Sequence, residues 1–564
     1  MTDFIMEIPL NVPVTDLVEL FGLKPDIDVH LNTPGYEFIA WGDPVFSGDP
    51  FIARDKEVSA DYIVNNIRGH YYFVFHQKDL GELIAGNSMF GLLPVYYHQG
   101  SDKITLCNNA LTLGKHLGMN EVNKRFILET VLFNYPLFNH SLISGILLLP
   151  ANSGIRIRRN EVILFRHTEI TDFFERNPIS GKDAVKLLPD SFLESVEKYL
   201  PHEKYALSVT GGFDGRTLAA ASLFHDRNFS VYAFGNETSK DMAIAEEISG
   251  RSGLRLEKIL LEDEYLKEHS IECGKEFITG SSGTATFARA HYLYAAKRLS
   301  PEYKHIVTGN FGSEIFRAAH VAGVLISNNL FTLFNSDHPE EALQLIEKSR
   351  EANSLNRESF GTDWLSLKED ISHMPCFSQS GSDFSRNQRF YIFVFEEVFR
   401  KYFGAELTNQ FRFLKNRTPF LDIGFIRAIL KTRLAGIHSE FFEHNPFRRY
   451  KGQVLYAHII RKAFPPMSTM ITDKGYRPDD LIKLSGISNI VKGYLRKERS
   501  KGRQNPDPNS VMKAWELNRN YWLQVPVSEE LFNTGEMGET MERELLFKAV
   551  SLSYVLDIAA RQVS

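Results

Sequence analysis

Cysteine is scarce in these 564 residues: Cys107, Cys273 and Cys376 are the full set, and no Cys-x-x-Cys spacing occurs. A disulfide framework is therefore excluded, and a reducing compartment is the expectation. Long apolar runs are missing too. The one around Ile143 to Leu149 stops well short of the ~20 residues that a membrane helix needs. Met1-Thr2-Asp3-Phe4 has no basic n-region and no apolar block after it, so a secretory leader is not expected. Neither sign of charge dominates: 64 Lys and Arg against 70 Asp and Glu leave −6, which does not advertise nucleic-acid binding. The two commonest nucleotide fingerprints, G-x-x-x-x-G-K-[ST] and G-x-G-x-x-G, are absent. What is left, 43% hydrophobic and 24% charged, is ordinary globular composition over a length that fits roughly two to four domains. A cytoplasmic protein is the expectation.

Up to about residue 180 the chain reads as short strands. Tyr71 to Phe75 is a β-branched and aromatic run, and Leu83–Ala85, Val95–Tyr97, Ile104–Leu106 and Ile155–Ile157 are of the same kind. Gly, Asp, Asn and Pro separate them, and such close spacing predicts antiparallel sheets. From Lys182 to Leu200 the period changes: Val185, Leu187, Leu188, Phe192, Val196 and Leu200 recur at helical intervals until Pro201. Strands then alternate with helices: strand Tyr205–Val209, helix Arg216–Phe224, strand Phe229–Phe234, helix Asp241–Ser249 and strand Ile306–Val307. That alternation predicts βαβ units and a parallel sheet. Beyond residue 320 the pattern is mainly helical, and the basic, then Pro/Asn-rich stretch Arg496–Asn509 reads as an exposed loop.

The strongest chemical signal is Thr210-Gly211-Gly212-Phe213-Asp214-Gly215-Arg216, between a strand and a helix. Paired glycines let backbone approach a bound group closely. The N–H groups of the turn and of the first helical turn make an anion site. A carboxylate beside such a site makes sense as a Mg²⁺ ligand, so Asp214, on a turn expected to be exposed, is the candidate.

The turn resembles the Ser-Gly-Gly-x-Asp-Ser pyrophosphate loop of ATP pyrophosphatases, and specifically that of the asparagine synthetase family. Phe229 to Phe234 is similar to that family's strand beside the adenine, and Asp241, Ala245 and Glu246 to its D-x-x-x-A run. Val307 to Glu314 looks like its second loop, L-S-G-E-G-x-D-E. Arg417-Thr-Pro-Phe-Leu-Asp422 resembles R-x-P-F-L-D, a packing motif. Lys474-Gly-Tyr-Arg-Pro478 resembles the region carrying the family's catalytic lysine. Earlier, Arg68 to Phe75, Asp79 and Gly91 to Tyr97 resemble the family's N-terminal glutaminase domain.

The resemblance implies a fold of two kinds, α+β then α/β. Residues 1–180 would form a degenerate N-terminal nucleophile hydrolase (glutaminase-like) β-sandwich. Residues 181–564 would form an adenine-nucleotide α-hydrolase-like (PP-loop) parallel-sheet domain with helical additions. It implies an AMP-forming amide ligase that adenylates a carboxylate with ATP and Mg²⁺, then lets ammonia or an amine capture the acyl group. Thr210, Gly211, Gly212, Asp214, Gly215, Arg216, Phe234 and Gly309 would bind ATP and pyrophosphate. Asp214 and Glu314 would hold the metal, with Lys474 and Glu314 catalytic. Natural-product amide formers such as lasso-peptide cyclases, or a non-catalytic scaffold, are the alternatives. The implied partners are a small-molecule or peptide carboxylate and an amine, with no nucleic acid, no membrane and, at most, a second copy as a homodimer.

The departures are specific. Thr210 and Gly215 stand where serines are usual, Asn310 replaces the Glu that helps to activate the amine, and Ser313 replaces a second metal-binding Asp. An Asn cannot act as a base. At position 2, where the glutaminase needs cysteine, the chain has Thr2, and Asn87-Ser88 replaces the usual Arg-Asp. The glutaminase is therefore expected to be inactive. Incubation with glutamine should release no glutamate above background, and glutamate release that is lost on Thr2→Ala would overturn this reading.

Overall fold

In the computed structural model, which describes residues 2–12, 14–46, 60–158, 160–316, 327–374, 376–377, 383–441, 451–500, 507, 509–533 and 543–561, two antiparallel sheets precede one parallel sheet. The first has five strands, in the order Phe21–Leu23, Ile5–Pro9, Lys103–Cys107, Tyr96–Gln99, Leu147–Leu148. The second has six: Glu161–Arg166, Ser153–Arg158, Glu82–Asn87, Ile67–Gln77, Tyr36–Phe46, Val29–Asn32. The runs of aromatic and β-branched residues fit this pleated surface. Ile67–Gln77 is buried along almost its whole length, as a strand covered on both faces must be. Phe4, Phe21, Trp41 and Tyr72 interlock here, with ring centroids 5.0–5.5 Å apart for Phe4–Trp41, Phe4–Tyr72, Phe21–Trp41 and Trp41–Tyr72.

The helix Gly181–Tyr199 leads into the parallel sheet. Ser180 caps it by accepting the Asp183 N–H, and Leu200, ahead of Pro201, turns extended and ends it. Its buried stripe is Ala184, Leu188, Phe192 and Val196; Leu187, placed in that stripe by the sequence pattern, is 60% exposed. The strand order is Leu256–Leu260, Phe229–Gly235, Tyr205–Ser208, His305–Val307, Lys415–Arg417, all parallel. The chain enters at the central strand, builds outward on one side, then returns to build the other. The order thus reverses between Tyr205–Ser208 and His305–Val307. In such sheets the crevice at the carboxyl ends beside the reversal is the ligand position. The basic stretch expected as a loop is helical in its first part: Ile487–Ser500 is one helix, because Ile490 and Gly493 give it a face to pack. Its remainder, 501–506 and 508, lies outside the described residues.

Two largely buried ion pairs fasten the antiparallel sheets to the parallel one, and both use the segment 417–422; a more exposed one joins Lys415 to Asp28. Arg417 grips Asp43 with two nitrogens, Nε to Oδ2 at 2.8 Å and Nη2 to Oδ1 at 3.0 Å, and also donates to the Tyr199 carbonyl. Arg68 donates to Asp422 Oδ2 at 2.7 Å, while Asp422 Oδ1 caps the helix Ile423–Leu430 through the Phe425 N–H. Between them His70 meets the Thr418 hydroxyl at 2.7 Å. Asp43 and His70 sit opposite each other in adjacent strands, and Gly69 allows that register: a Cβ there would lie 2.1 Å from the Asp43 carbonyl.

Burial pushes the Asp43 carboxyl up, but Arg417 and His305 outweigh it and hold the group well below the ordinary carboxylate range. A depressed carboxylate contributes stability above its unfolded value, near 3.9, that is lost as pH falls below it. The apparent melting temperature should therefore fall steeply below about pH 4. Asp43→Asn strands a buried guanidinium and should cost about 3–5 kcal/mol at neutral pH while flattening that acid limb. A variant with an unchanged acid limb would show that other carboxylates set it.

Candidate functional site

The Gly-rich turn lies at the reversal point, between the strand Tyr205–Ser208 and the helix Asp214–Phe224. Its glycines do different work. Gly211 is crowded: a Cβ would lie 2.8–2.9 Å from Asp473, Asp241 and Ile244 side-chain atoms. Its N–H donates to Asp241 Oδ1 at 2.8 Å and its carbonyl accepts from the Asp473 N–H at 2.9 Å. Gly211 is thus a packing glycine whose amide is already engaged, which corrects its assignment as a phosphate donor. Gly212 is open, with the Thr210 hydroxyl at 3.6 Å as the nearest neighbour of a would-be Cβ. Gly215 has no room for the family's serine, because a Cβ would lie 2.2 Å from the Ser208 carbonyl. Phe213 is buried and stacks on Tyr456, ring centroids 5.7 Å apart.

Asp214 opens the helix half-buried rather than exposed. Its Oδ2 accepts from the Ser313 hydroxyl at 2.8 Å, and its Oδ1 from the Tyr456 hydroxyl. Ser313 belongs to the second loop, which closes on the first through glycines. A Cβ at Gly309 would lie 2.8 Å from Asp214 Cβ, and one at Gly312 would lie 2.7 Å from Asp214 Oδ1. In the same loop Asn310 donates through Nδ2 to Glu406 Oε1 at 3.1 Å. Glu406 is buried, and Arg289 pairs with its other oxygen at 3.1 Å. Burial pushes the Glu406 carboxyl up, with Arg289 and Asn310 opposing. Glu314 gives its backbone carbonyl to the Tyr391 hydroxyl at 2.8 Å. Among the described residues, no three His, Cys, Asp or Glu side chains gather to hold a metal ion.

The third component comes from 260 residues downstream. Lys474 lies beside the first turn, its Nζ 5.6 Å from the Phe213 ring centroid and 3.3 Å from Asp473 Oδ1. Gly475, with φ of +81°, makes the tight turn after it, closed by Thr472 and Tyr476. Lys240 holds the Asp473 carbonyl at 2.7 Å.

Arg216 is the main correction. The sequence reading made it a phosphate ligand, but its side chain is fully buried, and it donates to the carbonyls of Met470 and Ile471 at 2.8 and 2.7 Å. Burial pushes its guanidinium down to about 10, so it stays charged at neutral pH. It positions the loop that carries Lys474. Phe234 is half-buried at the end of its strand, packed on His291 and Tyr292. The structure therefore brings together Thr210, Gly212, Asp214, Gly309 and Lys474. It adds Asp241, Tyr456, Asp473 and Glu406, whose contacts sequence reading did not find. Only Asp241 carried any signal, as the first residue of a D-x-x-x-A run.

These groups suit a polyphosphate better than an isolated metal. Gly212, whose N–H makes only a long contact of 3.5 Å to the Thr210 hydroxyl, and the start of the 11-residue helix Asp214–Phe224 offer amides and the positive end of a dipole, with Lys474 beside them. Asp214, between the two loops, is a carboxylate placed for a cation whose other ligands would come from phosphate and water. Arg216→Met should lower stability on the order of 3 kcal/mol by leaving two carbonyls without donors, measured by denaturant unfolding. Wild-type stability with a raised KM for ATP would instead return Arg216 to the ligand set.

Comparison with known proteins adds little. No family model matches the chain, and no curated protein matches it. A solved structure that does match is the glutamine phosphoribosylpyrophosphate amidotransferase from B. subtilis complexed with ADP and GMP. The match has 11% identity, 44% of this chain covered, 50% of that one, and a TM-score of 0.17. The chain thus spans half the length of that protein, and a likeness of this size has no bearing on what this chain does.

Proposed function

We propose that this protein is an ATP-dependent, AMP-forming amide ligase of the asparagine synthetase type that takes ammonia or a substrate amine directly. One observation carries the reading: the Gly-rich turn, the Gly309–Gly312 loop and the Lys474 loop meet at the carboxyl ends of parallel strands, at the strand-order reversal. In this reading the parallel sheet is a PP-loop domain and the antiparallel pair a glutaminase-like scaffold that has lost its chemistry. Thr2 is exposed, Cys107 is buried with its thiol pushed up by burial, and Asn87 and Ser88 are buried among backbone partners.

Magnesium, when bound with ATP, would neutralise charge on the phosphates. The rest is electrostatics supplied by the chain. Gly212 and the first helical amides hold the departing pyrophosphate, and Asp214 orients the cation. Lys474, set against Phe213 by the Arg216 tether, balances the charge that develops as the carboxylate attacks. Asn310 does not remove a proton. Its Nδ2 is taken by Glu406, which leaves Oδ1 as an acceptor that can orient an amine N–H. A second reading, a non-catalytic scaffold, draws on both Asp214 oxygens being held by the Ser313 and Tyr456 hydroxyls.

ATP–pyrophosphate exchange over a panel of carboxylic acids separates the two readings. The ligase should exchange with some acid. Asp214→Asn should abolish exchange with the fold intact, and Lys474→Ala should lower kcat about 10²–10³-fold with KM for ATP little changed. Lys474→Arg should not rescue, because a planar fork replaces a point charge. Exchange that is unaltered in Asp214→Asn would remove the proposal.

A further inference from the structure

The helix Ile487–Ser500 is mounted on the Lys474 loop but is half uncovered. Its inner face is fixed by Gly493, where a Cβ would lie 2.8 Å from the Lys474 carbonyl and 3.2 Å from the Tyr476 ring, and by Ile490 packed on the core. Its outer face carries Ile487, Val491 and Leu495 at intervals of four, 52%, 44% and 49% exposed, and the turn before it adds Leu484 at 89%. Three aliphatic side chains in line on one exposed arc, with a fourth exposed in the turn before it, are more than scattered surface apolarity. Lys492 and Arg496 border the arc, one residue beyond Val491 and Leu495, and both are exposed. Over 492–503 the sequence holds six Lys or Arg against one Glu, in a chain whose net charge is −6.

We infer that this face is an interfacial helix that lies on an anionic lipid surface, its aliphatic arc in the headgroup boundary and its cations on the lipid phosphates. Charge complementarity selects the occupant. An acidic chain that sets Lys492 and Arg496 beside exposed Leu, Ile and Val presents there a face suited to a surface both apolar and negative. Nucleic acid would match the cations but leave the aliphatic arc in water. A folded protein partner would need a groove to receive the Leu484 side chain, which projects into solvent. The expectation of no membrane partner rested on the lack of a spanning run, whereas an interfacial helix needs none. The inference is independent of the ligase reading.

Sedimentation of the full-length protein with phosphatidylcholine vesicles, with and without phosphatidylglycerol, tests it. Binding should appear with the anionic vesicles alone and weaken as salt is raised. Lys492→Gln/Arg496→Gln should lower partitioning roughly 30-fold, from two cations near the surface. Val491→Gln/Leu495→Gln should lower it at least about tenfold. All four positions are exposed, so an unchanged melting temperature is the expected control. No preference for anionic vesicles, binding that the apolar pair leaves unchanged, or a lipid-free dimer that the apolar pair dissociates would each overturn the inference.

Discussion

The candidate site depends on one buried cation. Among the described residues Arg216 forms no ion pair, and its two Nη atoms donate to backbone carbonyls, those of Met470 and Ile471. A buried guanidinium without such acceptors would carry a large desolvation cost, so wherever the 210–216 turn goes, the 470–476 loop must follow. Lys474 inherits its place beside Phe213 from that requirement, Asp473 inherits its bond to Gly211, and the helix Ile487–Ser500 inherits its seat on Gly475 and Tyr476.

The same logic recurs between the sheets. Arg417 and Asp422 are separated by four residues and reach Asp43 and Arg68 on neighbouring strands. The segment Thr418–Leu421 between them is buried, so both charges are held at fixed separation by packed backbone. This is the R-x-P-F-L-D stretch, and its contacts are those of a packing motif. The antiparallel half is in this sense a foundation for the strand Lys415–Arg417 and, through it, for the edge of the parallel sheet next to the second loop.

Much of the fold was legible because periodicity reports burial. Tyr71 to Phe75 and Phe229 to Phe234 are continuous apolar runs in strands covered on both faces, and the Phe192, Val196 spacing is a helix stripe. The strand Lys415–Arg417 was not legible. Its three residues are polar, and it is a strand only because His305–Val307 offers it a partner. The glycines of the first turn were legible as a group but not one by one. Whether a glycine packs, as at 211 and 215, or stays open, as at 212, depends on how the turn folds onto its neighbours: Ser208 for Gly215, and Asp241, Ile244 and Asp473 for Gly211. Arg216 failed for the same reason, since its partners are backbone carbonyls, which leave no trace in a sequence. Tyr456 and Glu406 reach the site from helices whose patterns read only as core.

The separation of 254 positions from Arg216 to Met470 also sets an order in time. At about 5–20 residues per second, a ribosome needs roughly 10–50 s to deliver the acceptors after the arginine has emerged. For that interval the strand-turn-helix around 205–224 cannot bury its guanidinium at any bearable cost, so it cannot close into its final form. The strands of the two antiparallel sheets all lie within the first 166 residues, so their ladders can form early, although Asp43 and Arg68 must likewise wait for Arg417 and Asp422. Synthesis therefore yields paired antiparallel strands with an open Gly-rich turn waiting beside them, and the segments 417–422 and 470–476 complete both.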